Sequence, residues 1–117
     1  SSPLAGVRDL LTGLIAEDDE TRALGCMGVG AACEFGASDP DLAERRQASQ
    51  KRLRTRLIAR LREGRQAGEI DPSLDPEDAA DFILIGMTGL QVAARAGAGA
   101  EQLKSLARFT TERLRAP

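Results

Sequence analysis

The chain has no histidine, no tryptophan and no tyrosine, and its aromatics amount to three Phe in 117 residues. Without histidine it lacks the usual general base and the commonest metal ligand at neutral pH. No Glu-x-x-His pair exists either, so a ferritin-like metal bundle is excluded in its usual form. A core without Trp or Tyr must be built from Leu, Ile, Ala, Val and Met, which suits packed helices with close backbones. No apolar run reaches the roughly 18 residues of a membrane span, and no signal peptide is visible. The net charge of -2 favours neither nucleic acid nor a membrane as partner of the whole chain. There are two cysteines, Cys26 and Cys33. On one helix they would share a face about 10 Å apart, too far for a disulfide. Reduced, buried thiols in a cytosolic protein are the simpler reading, and with no basic neighbour in sequence neither looks like a redox sensor.

What is present reads as helix throughout. The length allows one domain, residues 1–117, with a modest core. The stretch Asp75 to Gly97 organises the rest. Asp75 is placed as N-cap, Pro76 at the first helical position, and Glu77 and Asp78 in the first turn. From Phe82 to Ala94 it carries no charge. A helix apolar nearly all round needs cover on more than one side.

The other elements follow in order. Pro3 to Ala16 predicts a first helix, with Leu4, Val7, Leu11 and Leu14 at 3-4 spacing. Thr21 to Phe35 predicts a second, despite Gly25, Gly28 and Gly30. Those glycines match neither phosphate-binding fingerprint, and no Lys follows them. Asp39 and Pro40 open a long third helix to Ala67, stopped by Gly68. Between Glu44 and Arg65 it holds nine basic residues against two acidic ones, on several faces. That charge reads first as a solvated side balancing the acidic loops, with a nucleic-acid contact as the sharper alternative. A last helix is expected from Ala100 to Leu114. The predicted fold class is therefore all-α: about five helices in an antiparallel bundle, the last two forming a four-helix dimer interface.

No catalytic constellation emerges. Asp71, Asp75, Glu77, Asp78 and Asp81 span a loop and a helix start, where capping and solubility account for them. No enzyme activity, metal or cofactor is expected.

Three segments carry a resemblance. They are Gly25-Cys26-Met27-Gly28-Val29-Gly30-Ala31-Ala32-Cys33-Glu34; Asp39-Pro40-Asp41-Leu42 with the Arg/Leu-rich helix ending at Gln66-Ala67-Gly68-Glu69-Ile70; and Leu74-Asp75-Pro76-Glu77 with Gly89-Leu90 and Ala94-Arg95-Ala96-Gly97. In this order and spacing the chain resembles the C-terminal domain of the TetR (tetracycline repressor) family of transcription regulators. Gly28 and Gly30 depart from it, standing where one branch carries a larger aliphatic residue and Asn.

The resemblance implies a ligand-sensing and dimerisation domain, with repression the family's usual role. DNA would be bound through an N-terminal helix-turn-helix domain absent from these residues. The opening Ser1-Ser2-Pro3, without Met, is compatible with sequence upstream. Implied partners are a second copy of the chain and a small apolar or amphipathic effector, with no membrane. Pocket candidates are Leu11, Cys26, Met27, Gly30, Phe35, Leu57, Leu61, Leu84 and Met87. Interface candidates are the small strip Gly86, Gly89, Ala93 and Gly97 with Ile83, Leu90, Leu106, Phe109 and Thr110. Phe82, Ile85 and Val92 are expected on the bulky opposite side. A structural helical dimer or adaptor without a small ligand is the competing reading.

Overall fold

Four helices account for most of the residues described in this computed structural model, which are 2–15 and 40–117. They are α1 (Pro3–Thr12), α2 (Pro40–Gln66), α3 (Pro76–Arg95) and α4 (Ala100–Arg113). This corrects the expectation of about five. That count included Thr21 to Phe35, which lies outside the described residues. The four-helix dimer interface expected with it is a property of two chains; the described residues of this one form four helices. The described residues form no sheet, and one isolated antiparallel bridge joins Ile70 to Arg115.

The helix starts follow from capping chemistry. The Ser2 hydroxyl accepts from Ala5 N–H at 3.1 Å, with Pro3 at the first helical position. Asp75 Oδ1 accepts from Glu77 N–H at 3.0 Å ahead of Pro76. The stops are equally local. Gly68 and Gly97 adopt φ of +76° and +101°, a region that disfavours any residue with a Cβ. α1 ends at Thr12, short of the expected Ala16. There the N–H groups of Leu14 and Ile15 switch to the carbonyls of Leu11 and Thr12, three residues back, and close the helix beside Gly13.

The core is aliphatic. α1 contributes Leu4, Val7 and Leu11; α2 contributes Leu57 and Leu61. α3 turns Ala79, Ala80, Ile83, Leu90 and Ala94 inward, and α4 adds Leu103 and Ala107. α2 packs against α3, and α1 against α4. α3 and α4 form a hairpin closed at its turn by Ala98 N–H to the Ala93 carbonyl, 3.0 Å. The α2–α3 loop is clipped to the C-terminus. Asp71 N–H donates to the Leu114 carbonyl and Ala116 N–H to the Glu69 carbonyl, both at 2.9 Å.

Candidate functional site: an apolar outer face and an inner core

The α3–α4 hairpin has two sides of different character. Its inner side is core. Its outer side presents Phe82 (43% exposed), Ile85 (73%) and Val92 (49%) from α3, with Leu106 (47%) and Phe109 (73%) from α4. Phe82, Ile85, Gly89 and Val92 recur at spacings of three and four, so they form one stripe along α3. Leu106 and Phe109 do the same on α4. The helices meet between the stripes at Gly86, where an added Cβ would lie 3.9 Å from Thr110 Cγ2. Nothing lies within 4 Å of a Cβ added at Gly89, which is exposed. The two described phenylalanines are therefore on the surface of the subunit, not in its core.

This placement bears on the interface expectations. Phe82, Ile85 and Val92, expected on the far side from the small strip, are the outward residues. Ile83 and Leu90, at 0% and 7% exposure, lie in the core of their own subunit. Gly86, Ala93 and Thr110 lie half-buried along the edge of the face, and Gly97 is in the exposed turn.

The pocket candidates divide too. Leu11 and Leu61 are fully enclosed in the core. Leu57 is buried and also lines a groove of about 210 Å³ between α1 and α2, with Val7, Leu10 and Leu53. Leu84 and Met87 are half-buried and packed against the core from α3. Cys26, Met27, Gly30 and Phe35 lie outside the described residues. A second cleft, about 350 Å³, opens where the start of α3 meets the end of α4. Leu74, Ala79, Phe82 and Leu114 line it, with Asp75, Asp78 and Arg113 alongside.

Charges organise the helices around these surfaces. Arg54 forks onto Asp81, Nε to Oδ1 at 2.8 Å and Nη2 to Oδ2 at 3.3 Å, joining α2 to α3. The hydrogen bond and the charge of Arg54 hold the Asp81 carboxyl below the usual carboxylate range, against partial desolvation. The same pair raises Arg54. Ser73 lowers Asp71 through its N–H and its hydroxyl, bonds of 2.9 and 2.8 Å that shape the loop before α3. Arg115 lowers Glu112 by a two-point contact at 2.8 and 2.9 Å. Arg46 Nη2 on α2 is the one buried side-chain nitrogen or oxygen without a hydrogen-bond partner among the described residues.

Sequence reasoning missed the outward phase of Phe82, Ile85 and Val92. The available signal was the small residues Ala79, Ala80 and Ala94, all of which are buried. No group of three or more His, Cys, Asp or Glu side chains able to hold a metal occurs among the described residues. No helix among them is long and apolar enough to cross a membrane.

Comparison with known proteins gives one match. The family model described as "Tetracyclin repressor-like, C-terminal domain" matches residues 3–110. No curated protein and no solved structure gives a significant match. Such domains are regulatory and non-catalytic, which sets the apolar face and the core candidates in a context of binding and not of turnover. With nearly its whole length inside that match, the chain belongs to the TetR family as one of its C-terminal domains.

Proposed function

We propose that the chain is the effector-sensing and dimerising part of a TetR-family regulator, acting in the cytoplasm on a DNA-binding head N-terminal to it. The observation that carries the dimer is the outer face of the α3–α4 hairpin. Five large apolar side chains share it: Phe82, Ile85, Val92, Leu106 and Phe109. A monomer seldom leaves such a contiguous patch in water. A second copy is the natural cover, because two equal faces related by a two-fold axis bury each other completely. Gly89 between Ile85 and Val92 leaves room for a facing side chain, and Gly86, Ala93, Gly97 and Thr110 border the contact.

The effector is a small apolar or amphipathic molecule. Its candidate wall is on the opposite side of α3, where Leu84 and Met87 are half-buried against the core that holds Leu11 and Leu61, and Leu57 borders the groove between α1 and α2. Cys26, Met27, Gly30 and Phe35 are the further candidates for its wall. Methionine adapts to apolar ligands of varied shape. The effector acts by favouring one geometry of the pair, which changes how two DNA-binding heads match successive major grooves. Its net effect is loss of operator binding, which is repression relieved.

Sedimentation at micromolar concentration tests the dimer, and a thermal-shift screen of small apolar compounds tests the effector. A dimer and at least one stabilising compound are expected. A well-folded monomer at 100 µM, the order of the weakest useful association, would overturn the first part. A dimer that no compound stabilises would leave a structural dimerisation module instead.

A further inference from the structure

The cations of α2 sort by face. Arg54 is held by Asp81 and Arg60 by Glu63, while Arg65 donates to the Pro72 carbonyl. Arg45, Lys51, Arg52, Arg56 and Arg62 are exposed. Among the described residues none of these five has a carboxylate within ion-pair distance, and Arg52 contacts the Ser49 hydroxyl at 3.2 Å. At 100° per residue they fall within about 140° of arc, diametrically opposite the buried Leu57, Leu61 and Gly64. Ala48, Thr55 and Ala59 run down the middle of that arc. A groove of about 650 Å³ is lined, among the described residues, by Ala48, Lys51, Arg52, Thr55 and Arg56. What looked in sequence like charge scattered round the helix resolves, for these five, into one exposed face without ion-pair partners among the described residues; Arg46 lies apart from it, part-buried.

We propose that this outer face of α2 binds the phosphate backbone of duplex DNA without reading its bases. Arg45 to Arg62 spans about 25 Å of helix axis, roughly three quarters of a turn of B-DNA, whose charge recurs every ~1.7 Å. Four of the five cations are Arg, whose planar fork suits phosphate oxygens. Other anionic partners fit less well. The row has no aromatic on which the bases of a single strand would stack. It has no large apolar side chain to enter a lipid surface. It also lacks the central aromatic or aliphatic anchor on which protein interfaces depend. Evenly spaced phosphates need none of these. The net charge of -2 keeps the affinity low, so the face serves to steady a protein already brought to DNA by other contacts. This inference goes beyond the effector reading and does not depend on it.

The test is anisotropy of a labelled mixed-sequence duplex of about 20 bp titrated with the 117-residue chain, with far-UV circular dichroism to show that each variant is folded. The expected dissociation constant at about 50 mM salt is on the order of 10⁻⁴ to 10⁻⁵ M, with a slope of log K against log salt near -3 to -4. Arg52→Glu/Arg56→Glu is expected to weaken binding at least tenfold and flatten the slope by about 2. Arg113→Ala, on α4, is expected to change it less than twofold. No binding by the folded chain at 50 mM salt would overturn the proposal, as would an equal loss in Arg113→Ala. Equal or tighter binding of the single strand, or displacement of duplex by polyglutamate as readily as by unlabelled duplex, would also overturn it and assign the row to another polyanion.

Discussion

Arg54 on α2 and Asp81 on α3 are joined by two hydrogen bonds, 2.8 and 3.3 Å long, one to each carboxylate oxygen. Asp75 and Glu77, at the start of α3, add to the field that keeps Arg54 charged. The pair fixes the helix with the apolar outer face relative to the helix with the basic one.

This bond makes stability depend on pH in a defined sense. Asp81 titrates below its usual range in the folded chain. A depressed carboxyl stabilises the fold fully above its unfolded pKa of ~3.9, and that contribution disappears as pH falls through the folded value. Asp81→Asn is therefore expected to lower the melting temperature at pH 7. The gap to the unaltered chain should close as pH falls below about 4. Thermal melts from pH 7 to pH 3 read this directly, and a gap that stays constant would show that the loss is packing and not charge.

The ends of the elements are legible in the sequence because they rest on local chemistry. Asp75-Pro76 and Ser2-Pro3 cap and start helices, and Gly68 and Gly97 stop them, whatever the rest of the chain does. The rotational phase of α3 is not legible in the same way. Periodicity locates a buried stripe only when polar residues mark the other side. Between Phe82 and Ala94 almost every position is apolar, so the small strip at Gly86 and Gly89 reads as one side and Phe82, Ile85 and Val92 as a bulky side opposite it, whereas Gly89 shares the outward stripe with them. Packing against α1, α2 and α4 settles the phase: Ala79, Ala80, Ile83, Leu90 and Ala94 go in, and Phe82, Ile85 and Val92 go out. The pairing of Arg54 with Asp81, 27 residues apart, carries no sequence signal either. The pocket candidates on α1, α2 and α3 are apolar positions that lie in or against the core.

The two isoleucines Ile83 and Ile85 make that phase measurable. Ile83 is fully buried and Ile85 is 73% exposed. Ile83→Ala removes core volume and is expected to cost about 2–5 kcal/mol in denaturant unfolding. Ile85→Asp leaves the core intact, and is expected to shift the sedimentation of the chain towards the monomer. If the two variants exchanged these outcomes, the orientation of α3 would have to be turned by about half a revolution.

α2 and the loop after it meet with no spare room. A Cβ added at Gly64 would lie 2.5 Å from Ile70 Cδ1, 2.8 Å from Cγ1 and 3.4 Å from Pro3 Cβ. Ile70 is itself fully enclosed and cannot swing aside. Gly64→Ala gains up to ~1 kcal/mol of helix propensity, but forces overpacking that costs about 1–3 kcal/mol. Net destabilisation is expected in urea unfolding. Shortening the neighbour in Gly64→Ala/Ile70→Val should recover part of it, so that the double variant is more stable than the sum of the two single losses implies.

The first turn of α1 is held from a distance. Leu4 N–H, one of the donors a helix start leaves unpaired, donates to Glu69 Oε1 at 2.6 Å across 65 residues. Glu69 sits in the loop whose backbone is clipped to Ala116, so one short stretch secures both α1 and the C-terminus. A carboxylate at a helix start also opposes the positive end of the helix dipole. Glu69→Ala removes the bond and that charge and is expected to cost about 1–3 kcal/mol. Glu69→Gln keeps an acceptor oxygen and should restore roughly half. Because the Ser2 hydroxyl still serves Ala5 N–H, the loss should be local before it is global. Hydrogen exchange would show faster opening at Leu4 while the α3 amides around Ile83 keep their protection. Protection lost equally at both would mean that α1 and the α3 core open as one unit, and that Glu69 acts on the whole fold.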